Sequence, residues 1–130
     1  MDMPLSIHKD AFRAAEATHC AEDQGKFWEM HDRLFANQRA IEPLKGHAEA
    51  LGLDVVAFES CMSSGKHAEA VRKDTAQAEK AGVTGTPSFV LGRTESGDPA
   101  KVRGISFIRG ARQFADFKAE IDKALGELGK

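Results

Sequence analysis

Val83-Thr84-Gly85-Thr86-Pro87, followed at once by Ser88-Phe89-Val90-Leu91 and Gly92, is the stretch whose reading decides the fold. A long helical segment ends at Gly82, a Gly-Thr-Pro elbow follows, and a short run of β-branched and aromatic residues begins. Pro87 therefore stands at the entrance of a strand, where its missing N–H is tolerated. The tertiary amide makes Thr86-Pro87 a candidate for a cis bond. The same residues also admit a plain strand-entry turn.

Upstream of that stretch the chain reads as a block of helices. The alanine-rich run Ala11-Phe12-Arg13-Ala14-Ala15-Glu16-Ala17 predicts a helix over His8 to Asp23, with Gly25 as its cap. A second is expected over Lys26 to Asn37, where Phe27, Met30, His31 and Leu34 fall on one stripe. Trp28 and Phe35 lie on an adjoining face, which predicts burial on two sides. Pro43 opens a third helix that Gly52 closes, with Leu53 supplying the apolar contact of such a cap. Asp54 then caps a fourth, bearing Val55, Phe58 and Met62 and ending at Gly65. The fifth, about Lys66 to Ala81, is polar and reads as a surface helix around Val71.

Downstream, Phe89 to Arg93 and Lys101 to Ile108 are expected strands joined by Glu95-Ser96-Gly97-Asp98-Pro99. Gly104 and Gly110 interrupt or end the second. A last helix from about Gln113 carries Phe114, Phe117, Ile121, Leu125 and Leu128 on one apolar face. Met1 to Ile7, with Pro4 inside it, reads as a strand end or entry loop. Helices in a block followed by strand, strand and helix argue for an α+β protein rather than alternating βαβ units.

Composition narrows the function classes. At 130 residues the length suits one domain, 1–130, and a formal net charge of −2 gives no reason to expect nucleic acid or an anionic membrane as partner. No apolar run approaches the ~20 residues needed to cross a bilayer. The N-terminus lacks the basic and apolar regions of a signal peptide, so these residues carry no export address.

The Gly-Thr-Pro elbow resembles the cis-proline loop of thioredoxin-fold proteins. Ala17-Thr18-His19-Cys20-Ala21-Glu22-Asp23-Gln24-Gly25-Lys26-Phe27-Trp28-Glu29-Met30-His31-Asp32 resembles the helical insertion of DsbA-like thiol:disulfide oxidoreductases. Leu53-Asp54, Phe58, Cys61, Ser64-Gly65-Lys66 and Val71 continue the pattern in the same order, so that the likeness runs from about Pro4 to Leu125. The resemblance implies a thioredoxin-like fold of the DsbA type, with residues 8–81 as the helical insertion and 83–128 as proline loop, β-hairpin and closing helix. It implies a sheet left incomplete, because the N-terminal strands and the redox helix with its Cys-x-x-Cys precede everything found here. An exposed sheet edge of that kind favours pairing with another chain, hence a homodimer, or else a polypeptide that needs its missing segment.

The two cysteines, Cys20 and Cys61, form no Cys-x-x-Cys. Some DsbA-like proteins carry a stapling disulfide within the insertion, and the resemblance implies that role for Cys20 and Cys61, in an oxidising compartment. Two buried free thiols and a reactive pair are the other readings, the last disfavoured because both residues fall mid or late in a helix. Among the five histidines, His19 and His67 with the cysteines suggest a Cys2His2 metal set, but the spacings match no usual zinc pattern. Adjacent His19 and Cys20 would also have to point the same way from one helix. No metal and no cofactor is therefore expected. His31 is expected on the apolar stripe with one hydrogen bond, His47 and His67 facing solvent, and His8 packing at a helix start.

By resemblance, Gly85, Thr86 and Pro87 bind substrate, which would be a cysteine-containing protein or peptide, and the protein would be periplasmic or otherwise exported. The expected function is that of a DsbA-family oxidoreductase with no catalytic residue in this chain, which is then inactive alone. A non-catalytic peptide-binding module and a glutathione-transferase-like relative of the same fold are the alternatives.

Overall fold

A computed structural model describes residues 1–95 and 97–128, without the side chains of residues 99, 100, 127 and 128. Its contacts divide into two compact units, Met1–Gly82 and Val83–Lys130, each treated by itself. The first holds α1 (Ala11–Glu22), α2 (Phe27–Ala36), α3 (Leu44–Ala50), α4 (Val55–Ser64) and α5 (Ala68–Lys80). The second holds β1 (Ser88–Glu95), β2 (Asp98–Arg109) and α6 (Phe114–Leu128). The order is that of an α+β chain, as its pattern predicts. Among the described residues no helix is long and apolar enough to cross a membrane.

Local chemistry explains where the helices of the first unit stop and start. Gly52 takes a φ of +68°, its amide donates to Glu49 O at 3.0 Å, and Leu53 N donates to Ala48 O at 3.1 Å. That pair of bonds is a Schellman motif, and the buried Leu53 provides its apolar contact. One residue later the Asp54 carboxylate accepts from Ala57 N at 3.0 Å, an N-cap contributing about 1 kcal/mol. α1 begins later than the expected His8. His8 N donates to Leu5 O and Ala11 N to His8 O, so a turn occupies residues 8–10 and the His8 side chain is exposed rather than packed.

The core of this unit is built on α1. Ala17 and Ala21 have no exposed surface, and their small side chains admit Met30, Leu34, Leu44, Phe58 and Met62 from the helices around them. Cys20 of α1 and Cys61 of α4 are joined as a disulfide with their Cα atoms 5.9 Å apart. α5 contributes Val71 and Ala78 and is otherwise a surface helix.

Two expectations fail here. Trp28 and Phe35 are 68% and 63% exposed, so α2 buries one stripe and not two. Their rings pack instead along the helix against His31, at 5.4 and 4.5 Å between centroids, because no element of this unit covers that face. His47 does not face solvent. It is buried, with Arg33 Nε donating to its Nδ1 at 3.1 Å and its Nε2 bonded to Ala40 O at 2.9 Å. Satisfying both ring nitrogens is what makes burial of the imidazole affordable.

In the second unit β1 and β2 pair antiparallel from Ser88 opposite Arg109 to Glu95 opposite Asp98, both strands running longer than expected. The register shifts between Leu91 and Gly92. A Cβ on Gly92 would lie 2.8 Å from Arg103 O and closer still to Val102, so only glycine fits the bulge. Gly104 lies in the same irregularity, and Gly110, at φ +77°, ends the strand. Ser96 of the expected turn lies outside the described residues.

α6 meets the hairpin through Phe117, edge-on to Phe89 at 5.0 Å, and through Glu120, which accepts from Ser106 Oγ at 2.7 Å, and its Ala124 is buried. The expected apolar face is mostly uncovered, with Phe114, Ile121 and Leu125 exposed and the Leu128 side chain outside the described residues. A sheet of two strands offers surface for only one stripe of a helix.

Candidate functional site

The proline loop belongs to the second unit. The Thr86-Pro87 bond is cis, as is Glu42-Pro43 elsewhere. The loop is pinned on both sides of Thr86. Ser88 Oγ donates to Gly85 O at 2.7 Å, and Gly110 N donates to Pro87 O at 2.8 Å. Pairing with β2 begins only at Ser88, and Thr86 and Pro87 are exposed. Among the described residues no hydrogen bond uses the backbone N–H or C=O of Thr86. Those groups are available to an extended chain laid beside them. The anchoring by Ser88 and Gly110 escaped the sequence reading. The only local signals were a hydroxyl directly after the proline and a glycine at the end of β2.

The cysteines belong to the first unit. Cys20 is 1% exposed, whereas Cys61 is half-buried. Around the disulfide stand Asp23, Lys66 and His67. Asp23 Oδ2 accepts from Lys66 Nζ at 2.8 Å, bonds His67 Nε2 at 2.9 Å and lies 3.6 Å from Cys61 Sγ. The hydrogen bonds from Lys66 and His67 hold the Asp23 carboxyl below the ordinary aspartate value. His67 is thus half-buried and partnered, not facing solvent. Its position just beyond the Gly65 cap brings it back over Asp23, a fold-back that no spacing rule would have shown.

His19 sits on the neighbouring face of α1, its Nε2 2.7 Å from Asp2 Oδ2 and its Nδ1 2.9 Å from Glu22 Oε2. Burial pushes its pKa down, but hydrogen bonds to Asp2 and Glu22 and their charges outweigh that and raise it above 6.5. A raised folded-state value stabilises the fold fully below pH 6.5, and that contribution is lost as pH rises through the folded value. His19→Gln should therefore flatten the decline in stability as pH rises above 6.5. Urea unfolding of the oxidised chain across that range measures it, and an unchanged slope would contradict the assignment.

The family described as DSBA-like thioredoxin domain matches residues 1–122. The chain belongs to that family. The DSBA-like assignment makes the two-stranded sheet and α6 an incomplete thioredoxin-like fold, and it places the chain among proteins of the thiol-disulfide oxidoreductase type. Similar proteins include the Na(+)/H(+) antiporter NhaA 1 of Salinispora arenicola (strain CNS-205), 42% identical over 99 residues, which are 73% of this chain and 15% of that protein. The Na(+)/H(+) antiporter NhaA 3 of Salinispora tropica is 36% identical over 107 residues, 80% of this chain and 16% of that protein. The Na(+)/H(+) antiporter NhaA of Herminiimonas arsenicoxydans is 41% identical over 89 residues, 67% and 14% respectively. This DSBA-like chain therefore corresponds to a small part of the length of each.

Proposed function

We propose that this chain is the substrate-side portion of a protein-disulfide oxidoreductase, which holds cysteine-containing polypeptides at Gly85, Thr86 and Pro87. The observation that carries the reading is Thr86, whose backbone groups are unpaired among the described residues and lie beside a cis proline at the mouth of β1. An extended substrate strand would bond that backbone and so present its sulfur to a redox dithiol. In the exchange two substrate thiols become a disulfide while the enzyme's disulfide becomes a dithiol, or the reverse, through a mixed disulfide. Residues 1–130 contain no Cys-x-x-Cys, so the pure chain supplies the binding and not the sulfur chemistry.

Two measurements test this. The pure chain should not accelerate insulin reduction by dithiothreitol above the uncatalysed rate, and turnover would overturn the assignment of chemistry elsewhere. An extended peptide with serine in place of cysteine should shift the backbone amide resonances of Gly85, Thr86 and Ser88. Pro87→Ala should weaken its binding about tenfold, the worth of one or two backbone hydrogen bonds. Absence of shifts at these amides would overturn the binding role.

A second reading is favoured by the names of the relatives. It makes this chain a redox-type module of a larger antiporter-like protein. An antibody against the chain would then detect a membrane-fraction band far above 14.1 kDa. A band at 14.1 kDa away from the membrane fraction would count against it.

A further inference from the structure

The sulfur atoms of Cys20 and Cys61 and an imidazole nitrogen of His67 all lie within 4.8 Å of one another. As a disulfide the two sulfurs bond each other and ligate nothing. We propose that, once a dithiol has reduced this disulfide, Cys20, Cys61 and His67 bind a divalent cation of the zinc class, with the Asp23 carboxylate against them. Of the Cys2His2 set weighed from the sequence, the grouping keeps Cys20, Cys61 and His67 and leaves out His19.

The chemistry of the donors fits such an ion. Zinc takes thiolates at about 2.3 Å and imidazole at about 2.0 to 2.1 Å in a tetrahedron, so its donors sit roughly 3.3 to 3.8 Å apart. Donors already within 4.8 Å reach that spacing by side-chain adjustment, with the two cysteine Cα atoms held 5.9 Å apart. Cys20 closes the inner side of the group, and half-buried Cys61 and His67 leave the outer side open for entry. Asp23 Oδ2, 2.9 Å from His67 Nε2, is the carboxylate that orients a ligating histidine. Two thiolates and Asp23 against Lys66 leave a deficit of two positive charges, which a divalent ion cancels.

The steps balance. Each protein sulfur gains one electron and one proton as the reducing dithiol closes its own disulfide, and the incoming ion then displaces both thiol protons. Disulfide and ion are mutually exclusive, so occupancy follows the redox state of Cys20 and Cys61.

Cobalt(II) and zinc(II) are the probes, added anaerobically to the full chain after reduction with a trialkylphosphine and its removal. The reduced chain should develop a thiolate-to-cobalt charge-transfer band and tetrahedral ligand-field bands that saturate at one equivalent and bleach with zinc. The oxidised chain should develop neither. His67→Ala and Asp23→Asn should each weaken cobalt binding by about 10- to 100-fold or more, and His67→Cys should restore it. Circular dichroism follows the fold in parallel, and an ion that binds as proposed restores helix to any reduced chain that has lost it. No charge-transfer band in the reduced chain, failure to restore lost helix, or equal binding by His67→Ala would each overturn the proposal.

Discussion

Replacing Cys20 and Cys61 together by alanine should lower the unfolding free energy of the helical unit by about 4 kcal/mol. The disulfide spans a sequence separation of 41, and the chain-entropy relation for a loop of that size gives this figure. The bond ties α1, on which the core is assembled, to α4, which contributes Phe58 and Met62, so the unfolded chain it constrains contains α2 and α3 as well. For a unit of this length the loss corresponds to a drop in melting temperature on the order of 20 °C. Thermal melts by far-ultraviolet circular dichroism measure it, and phosphine reduction of the unaltered chain should give a similar drop without truncating a side chain. A shift worth less than about 1 kcal/mol in both would show that packing alone holds α1 to α4. Zinc recovering stability in the reduced chain but not in the double alanine variant would link this result to the proposed ion site.

The parts of this architecture that sequence displays are those decided within a few residues. Asp54 and Gly65 delimit α4 because capping needs only a carboxylate at one end and a left-handed residue at the other. Gly52 and Leu53 announce their motif in the same way. The hairpin was legible from two apolar runs around turn residues, and the cis-proline loop from its Gly-Thr-Pro elbow. What stayed hidden depends on which surfaces meet. Trp28 and Phe35 carry the composition of a buried face, yet exposure is settled by whether another element covers them. His47 has the composition of a surface residue, and only Arg33 and the Ala40 carbonyl, brought from other segments, make its burial affordable. The cluster of Asp23, Lys66 and His67 at the disulfide depends on the chain turning back after α4.

Phe58→Ala should cost about 3 to 5 kcal/mol, comparable to loss of the disulfide and by a different mechanism. Phe58 is 1% exposed and is the largest fully buried side chain among the described residues, set among Met30, Leu34, Leu53 and Met62. Truncation removes its transfer free energy and leaves a cavity that neighbours anchored on separate helices cannot collapse to fill. Phe58→Leu, which keeps part of the volume, should cost less. Phe114→Ala, at a side chain 81% exposed on α6, should stay within about 0.5 kcal/mol. Urea unfolding of the three variants in the oxidised state separates the cases. Because the disulfide acts on the unfolded chain and Phe58 on the folded core, reduced Phe58→Ala should lose close to the sum of the two effects. If Phe58→Ala were instead as mild as Phe114→Ala, the cluster around α1 would not be the core of the helical unit, and the disulfide would carry its stability.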